Sequence, residues 1–229
     1  MKEMKEMKEM KELKVFTIQK NIHEDNRKVA DETREYLRKE NTIMINVMSS
    51  PGSGKTSTLV RLIDALKDRI DIGVIEADID SDVDARTIQR AGAKAVQMNT
   101  QGLCHLDATM ARTGIDELEV SDLDLVFLEN IGNLICTVGY DTGAMKNIGI
   151  LSVPEGDDKP LKYPKIFGMV DLLVVNKIDV LEHFDFDMNV LEERVRKLNP
   201  NIRIIPISAK TGEGMEVLGE WIMETVKGR

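Results

Sequence analysis

The sequence predicts a doubly wound α/β fold with a mostly parallel sheet of about seven strands. Three observations predict it: short apolar runs recur along the 229 residues, patterns with apolar residues at helical spacing lie between several of them, and several runs are apolar throughout. Strands that alternate with helices build a parallel sheet. A strand whose two faces are both covered by helices loses the alternation of polar and apolar residues.

The first predicted element is a helix that opens at the capping-box pattern of Asn21 and Glu24 and runs to about Lys39. Helical spacing of apolar residues predicts further helices over 56–70, 188–198 and 215–226. Apolar runs predict strands at 43–48, 73–75, 93–98, 125–128, 148–153, 172–175 and 202–207.

Two segments of different character are expected along the chain: a low-complexity extension over residues 1–20 and a single domain over 21–229. The triplet Met-Lys-Glu repeats over residues 1–12. Because a helix turns about every 3.6 residues, methionines spaced by three drift around it and form a poor core stripe. We interpret this segment as a solvated extension, with a partner-binding helix as the alternative.

Composition excludes several classes of function. The net charge is −9, and an acidic protein is a poor non-specific binder of nucleic acid. No apolar run reaches the roughly 18 residues of a membrane-spanning helix, and residues 1–13 lack the apolar core of a secretory signal. We therefore expect a cytoplasmic protein with no nucleic-acid or membrane partner, in which Cys104 and Cys136 stay reduced.

A phosphate-binding loop follows the strand predicted at 43–48. Residues 49–56 read Ser-Ser-Pro-Gly-Ser-Gly-Lys-Thr and lead into an amphipathic helix, which is the context of a Walker A motif. Lys55 is expected to reach the β- and γ-phosphates and Thr56 to bind Mg²⁺, although Ser49 departs from the generic glycine. Backbone N–H groups of the loop and the helix N-terminus converge on phosphate. The nucleotide-binding residues predicted here are Gly52, Ser53, Gly54, Lys55, Thr56 and Ser57.

A second motif selects guanine. The strand predicted at 172–175 runs into residues 176–179, which read Asn-Lys-Ile-Asp. A carboxylate at Asp179 accepts from N1–H and the amine of guanine, whereas adenine would leave it unpaired. Lys177 is expected to lie along the base, and Asn176 to tie two loops together. A segment after the last strand resembles the GTPase element whose backbone N–H reads guanine O6. Its residues are Ser208, Ala209 and Lys210.

Two acidic strand ends are candidates for holding Mg²⁺ and the attacking water. Asp78 lies at the end of a strand, within an acidic run over 76–84. Glu129 ends another strand and is followed three residues later by Gly132, the arrangement of a Walker B carboxylate and a γ-phosphate sensor. The predicted catalytic residues are Lys55, Asp78 and Glu129, and the predicted Mg²⁺ ligands are Thr56, Asp78 and Glu129. A solvated switch loop and helix cap is the interpretation for Asp80, Asp82 and Asp84.

A candidate metal set consists of Cys104, His105 and Cys136. Thiolate and imidazole are ligands for Zn²⁺ and Ni²⁺. These residues alone leave the alternatives open, because the cysteine spacing fits no finger pattern and a free cysteine is usually a small buried hydrophobe. A catalytic Cys–His pair is less favoured, because adjacent side chains on a regular backbone point apart.

Together these stretches resemble the HypB family of hydrogenase nickel-incorporation GTPases. The sequence reads NTQGLCHLDA at 99–108, ENIGNLIC at 129–136 and EGDDKPLKYP at 155–164, beside the phosphate loop and the Asn-Lys-Ile-Asp motif. The resemblance runs from about residue 21 to about residue 226. It implies a P-loop GTPase of the SIMIBI type, which hydrolyses GTP to GDP and phosphate with Mg²⁺.

The resemblance also implies a metallochaperone. Such a protein dimerises with GTP and delivers nickel to the large subunit of [NiFe]-hydrogenase, with a small zinc-containing partner. It implies that Cys104, His105 and Cys136 bind Ni²⁺ or Zn²⁺ at the dimer interface. Residues 1–13 contain neither Cys nor His, so the N-terminal nickel storage of some members is not expected.

Two other functions stand as alternatives. A related GTPase that escorts another metal or cofactor into an enzyme such as urease would lack the pairing of CHLDA with ENIGNLIC. A non-enzymatic nickel or zinc buffer needs no phosphate loop, and three histidines and two cysteines are few for storage.

Overall fold

The computed structural model describes residues 14–17, 26–78, 83–100 and 102–228. The strands in it are β1 (Lys14–Thr17), β2 (Ile43–Ser49), β3 (Ile72–Asp78), β4 (Lys94–Asn99), β5 (Leu125–Glu129), β6 (Lys146–Ser152), β7 (Leu172–Asn176) and β8 (Arg203–Pro206). The helices are α1 (Asn26–Lys39), α2 (Lys55–Leu66), α3 (Val83–Ala91), α4 (Ala108–Leu118), α5 (Lys159–Lys162), α6 (Pro164–Met169), α7 (Met188–Leu198) and α8 (Met215–Lys227). Short 3₁₀ turns lie at Val120–Asp122, Cys136–Gly139, Val153–Glu155 and Ile178–His183.

The eight strands form one sheet in the order β1-β4-β3-β5-β2-β6-β7-β8, and every pairing is parallel. All seven predicted strands are present, which confirms the predicted fold class. The edge strand β1 was not predicted, because its four residues, Lys-Val-Phe-Thr, give no apolar run. Strand β3 is longer than predicted, because Glu76 and Asp78 interrupt its apolar pattern.

Helices cover both faces of the sheet. Alternate residues of β2 point to opposite faces. Ile45 packs in the cluster beneath α2 and α8, whereas Met44 packs in the cluster beneath α1 and α4. A third cluster lies beneath α6 and α7. All seven residues of β2 are buried, which explains why this strand reads as an apolar run.

Two predicted helices differ from the structure at their ends. Helix α2 ends at Leu66 rather than near residue 70, and Ile70 still packs in the core from the turn that follows. Helix α1 ends at Lys39 as predicted, but its predicted start at Asn21 lies outside the described residues. The Met-Lys-Glu repeat of 1–12 also lies outside them. No helix in the described part of the chain is long and apolar enough to cross a bilayer.

The sheet places its polar strand ends at one edge. Strand β2 is central, between β5 and β6, and the chain leaves it toward β3 on one side and later crosses to β6 on the other. In open α/β sheets, ligands bind at such a change of direction, beyond the carboxyl ends of the strands. The residues that end β2, β3, β5 and β7 at this edge are Ser49, Asp78, Glu129 and Asn176.

Candidate functional site

The phosphate loop connects β2 to α2 over residues 49–56. Gly54 has a φ of 96°, and a Cβ placed there would lie 2.3 Å from Asn176 Nδ2, so this position requires glycine. Lys55 Nζ donates to Ser49 Oγ at 3.1 Å. The serine that replaces the generic glycine therefore holds the lysine beside its own loop.

A cleft of about 540 Å³ opens above this loop. Eight of the predicted site residues line it: Gly52, Gly54, Lys55, Thr56, Ser57, Asp78, Glu129 and Lys177. Asp84, which the sequence assigned to a solvated helix cap, lines the cleft as well, from the first turn of α3. Asp80 and Asp82 lie outside the described residues.

Asn176 joins the guanine motif to the phosphate loop. Its Nδ2 donates to the Ser53 carbonyl at 2.9 Å, and its Oδ1 accepts from the N–H groups of Lys177 at 2.8 Å and Ala209 at 3.1 Å. Lys177 has a φ of 66°, and its Nζ donates to the Gly52 carbonyl at 2.6 Å. One buried amide thus connects its own loop to the phosphate loop and to the segment after β8, whereas the sequence predicted a connection between two loops.

Asp179 lies beside the segment that follows β8. Its Oδ1 accepts from Ser208 Oγ at 2.7 Å, and Lys210 Nζ lies 3.8 Å from its Oδ2. Arg61 of α2 supports the same segment, because its guanidinium donates to the carbonyls of Ala209 and Lys210, each at 2.9 Å. Arg61 was not predicted, because an arginine on the exposed face of a helix gives no local signal.

Two buried carboxyl groups lie side by side at the floor of the cleft. Glu76 of β3 and Glu129 of β5 are register partners, with relative exposures of 3% and 2%. Thr56 Oγ1 donates to Glu129 Oε1 at 2.8 Å. The Oε2 atoms of both glutamates find no hydrogen-bond partner among the described residues. Glu76 is about as buried as Glu129, yet no role of its own was predicted for it.

The two carboxyl groups have unequal proton affinities. Burial, the charge of Glu129 and a hydrogen bond with it raise the pKa of Glu76 well above its usual value. Burial also raises the pKa of Glu129, against the opposing effects of the Glu76 hydrogen bond and the Lys55 charge. Both carboxyl groups therefore hold a proton more tightly than an exposed glutamate does, and Glu76 more so than Glu129. A divalent cation bound here would add positive charge beside the buried pair.

A short loop leads from Glu129 toward the metal candidates. Asn130 is buried, its Nδ2 donates to Asn46 Oδ1 at 3.1 Å, and its Oδ1 accepts from the N–H of Ile131 at 3.0 Å. Farther along, Asn133 Oδ1 accepts from the N–H groups of Ile135 at 2.8 Å and Cys136 at 2.9 Å. Side-chain amides therefore fix the backbone of this loop up to the cysteine.

The structure places the predicted metal residues Cys104, His105 and Cys136 on two neighbouring loops. A hydrogen bond with Cys136, together with burial, raises the pKa of the Cys104 thiol. Cys104 Sγ lies 3.9 Å from His105 Nδ1. The His105 ring is buried and stacks on Tyr140, with ring centroids 3.7 Å apart and planes 11° apart. Tyr140, four residues after Cys136, was not predicted as part of the site.

Two thiols and an imidazole are a donor set suited to Zn²⁺ or Ni²⁺. In the described residues, however, no group of three or more His, Cys, Asp or Glu side chains is already arranged around a common metal position. The three side chains are neighbours that would have to converge for coordination.

Comparison with known proteins points to one family. The protein-family model described as the CobW/HypB/UreG nucleotide-binding domain matches residues 43–206. The hydrogenase maturation factor HypB of Rhizobium leguminosarum bv. viciae is 42% identical over 208 residues, which cover 91% of this chain and 70% of that protein. The chain belongs to the HypB family. The resemblance seen in the sequence is therefore confirmed.

Two solved HypB structures have the same fold. The hydrogenase maturation factor HypB from Archaeoglobus fulgidus superposes with a TM-score of 0.83 at 36% identity, covering 88% of this chain and 98% of that one. HypB from Helicobacter pylori, solved in complex with nickel, gives 0.85 at 38% identity, covering 90% and 96%. Both solved HypB structures thus share the fold of this chain over most of its length.

Proposed function

We propose that this HypB-family chain is a Mg²⁺-dependent GTPase and nickel metallochaperone, acting in the cytoplasm in the maturation of [NiFe]-hydrogenase. In this proposal residues 21–229 form one P-loop GTPase domain. The observation that carries it is the loop from Glu129 to Cys136. At its start Glu129 accepts a hydrogen bond from Thr56 of the phosphate loop, and at its end Cys136 hydrogen-bonds with Cys104.

The proposed nucleotide chemistry follows from the residues of the cleft. Lys55 neutralises charge on the phosphates, and the backbone N–H groups of 52–57 bind them. Thr56, Asp78 and Glu129 would hold Mg²⁺, which offsets the charge that develops as the γ-phosphate leaves. The proposed guanine contacts come from Asn176, Lys177, Asp179, Ser208, Ala209 and Lys210.

The proposed metal chemistry belongs to Cys104, His105 and Cys136. Their thiolates and imidazole take Ni²⁺ or Zn²⁺, with nickel as cargo. A second copy of the chain, in a GTP-dependent homodimer, completes the set of ligands. A small zinc-containing nickel chaperone and, indirectly, the hydrogenase large subunit are the proposed partners.

Separate assays test the two halves of the proposal. Single-turnover hydrolysis of GTP should run at roughly 10⁻⁴ to 10⁻² s⁻¹ with Mg²⁺, a rate typical of unassisted GTPases, and Lys55→Ala should abolish it. Equal hydrolysis without Mg²⁺, or in Lys55→Ala, would contradict the GTPase assignment. Titration with Ni²⁺ and Zn²⁺ should give weaker binding to Cys104→Ala and Cys136→Ala than to the unmodified chain, and unchanged binding in both would remove the cysteines as ligands.

A further inference from the structure

The first residue of α1 bridges the two loops that carry the metal candidates. Asn26 Oδ1 accepts from the backbone N–H of Ala108 at 2.8 Å, and its Nδ2 donates to the backbone carbonyl of Asp141 at 2.9 Å. Ala108 lies three residues after His105, and Asp141 lies five residues after Cys136. A single side-chain amide therefore spans the ends of both loops.

The backbone N–H of Ala108 has no hydrogen-bond acceptor within its own helix. It belongs to the first turn of α4, where backbone N–H groups have no intrahelical acceptor. Asp107 caps that turn by accepting from Met110 N at 2.9 Å, and Asn26 accepts from Ala108. The Cys104–His105 loop thus ends in a helix start that α1 helps to hold.

The second loop is attached to the same helix at further points. The Arg34 guanidinium pairs with the Asp141 carboxylate and donates to the Ala144 carbonyl at 3.4 Å. Gly143 lies so close to α1 that a Cβ placed there would be 3.0 Å from the Ala30 carbonyl oxygen. Helix α1 therefore positions the loop that follows Cys136.

We propose that Asn26 is a positioning residue for the metal site. Its amide fixes the distance between the loop of Cys104 and His105 and the loop of Cys136, and so the ease with which their sulfur and nitrogen atoms converge on one ion. The inference rests on the metal-binding role proposed above for these three residues. Groups that orient metal ligands change metal affinity by about 10- to 100-fold when they are removed.

The test compares Asn26→Ala with Asn199→Ala in the full-length, GDP-bound protein. Asn199 is the matched control, because it is a half-buried asparagine whose Nδ2 bridges two elements by donating to the Val170 carbonyl at 2.9 Å, far along the sheet from the metal loops. Competition with a chromophoric chelator measures Ni²⁺ and Zn²⁺ affinity. We expect affinity to fall about tenfold or more in Asn26→Ala and to stay unchanged in Asn199→Ala.

Two further variants separate positioning from a general loss of stability. Asn26→Asp keeps the acceptor for Ala108 but places a carboxylate oxygen against the Asp141 carbonyl, so its affinity should also fall below that of wild type, and it serves as the test variant if the alanine variant does not fold. In a Cys136→Ala background, Asn26→Ala should cost no further affinity. A full additional loss there would show that Asn26 acts on stability and not on the thiol pair.

A metal-free readout keeps the inference distinct from the proposed function. The rate at which a short bifunctional thiol reagent links Cys104 to Cys136 should fall several-fold in Asn26→Ala and not in Asn199→Ala. Unchanged affinity and unchanged cross-linking in Asn26→Ala would overturn the positioning role while leaving the metal site intact. Metal affinity that Cys136→Ala does not lower would instead overturn the proposed metal site, and the cross-linking rate would still decide on Asn26.

Discussion

Gly132 lies directly against Pro51, so closely that a Cβ placed on Gly132 would come within 2.8 Å of the Pro51 backbone nitrogen. Pro51 belongs to the phosphate loop, and Gly132 lies midway between Glu129 and Cys136. The loop that leads to the metal candidates therefore touches the phosphate loop through backbone, where neither partner can yield by rotating a side chain.

Gly132→Ala should impair GTP hydrolysis. The added methyl group has to displace either the phosphate loop or the loop of Gly132. Displacing the N–H groups that bind phosphate should lower the rate of GTP hydrolysis about tenfold or more. Single-turnover hydrolysis and GTP affinity measure the effect. Gly139→Ala is the control, because a Cβ at Gly139 would meet nothing within 4 Å. Equal rates in the two variants would show that the contact has no role in hydrolysis.

Asp179→Asn should change the preferred base. An amide at this position offers a donor, which suits the 2-oxo group of xanthine, and no longer accepts from both N1–H and the amine of guanine. We expect GTP affinity to fall about 100-fold and xanthosine triphosphate affinity to rise, as measured by displacement of a fluorescent nucleotide. The exposed Asp185, changed to Asn, provides the control. Preserved preference for GTP in Asp179→Asn would contradict the assignment of the base site.

The Glu76–Glu129 pair should make the nucleotide- and Mg²⁺-free protein less stable as pH rises. A raised pKa means that the folded state binds more protons than the unfolded state, so stability is lost as pH rises above the ordinary glutamate value of about 4.5 toward the raised pKa of Glu76. Glu76→Gln removes much of this loss. Urea unfolding at pH 5 and pH 8 should show a smaller difference in the free energy of unfolding for Glu76→Gln than for wild type. Exposed Glu216→Gln should behave like wild type, and an equally steep pH dependence in Glu76→Gln would contradict the prediction.

Asn133→Ala should weaken the coupling between nucleotide and metal. Its side-chain oxygen holds the N–H groups of Ile135 and Cys136, so its removal frees the cysteine from the loop that touches Pro51. In wild type we expect metal affinity to differ between the GDP form and a GTP-analogue form, and GTP affinity to change with metal by the same factor. Titrations of both forms should show this factor falling toward one in Asn133→Ala and returning in Asn133→Asp, which keeps the acceptor. Equal metal affinity of the GDP and GTP-analogue forms of wild type would contradict the coupling itself.

Much of the fold could be predicted because the burial of a strand is visible in its own residues. A parallel strand covered on both faces, such as β2, is apolar at nearly every position, and the motif residues at its end are then placed by chain order alone. Strand β1 could not be predicted in this way, because its pairing with β4 leaves no mark on four residues of mixed character.

The parts of the site that were missed depend on neighbours distant in the chain. The pKa of Glu76 is raised in part by Glu129, which lies opposite it only once β3 and β5 pair. The stack of Tyr140 on His105 and the bridge made by Asn26 arise in the same way, from helices and loops that meet after folding. A sequence motif identifies the residues within it, but not the residues from other parts of the chain that contact and position them.

The central position of β2 has a consequence for the synthesis of the protein. β2 emerges from the ribosome early and apolar, yet its neighbours in the sheet, β5 and β6, come much later. The first of them begins about 75 residues after β2 ends, which takes roughly 4 to 15 s at the usual speed of translation. During that interval a largely apolar strand has both of its edges unpaired, which is a condition that favours aggregation. The nascent chain is therefore expected to need chaperone protection until β5 and β6 have both been made.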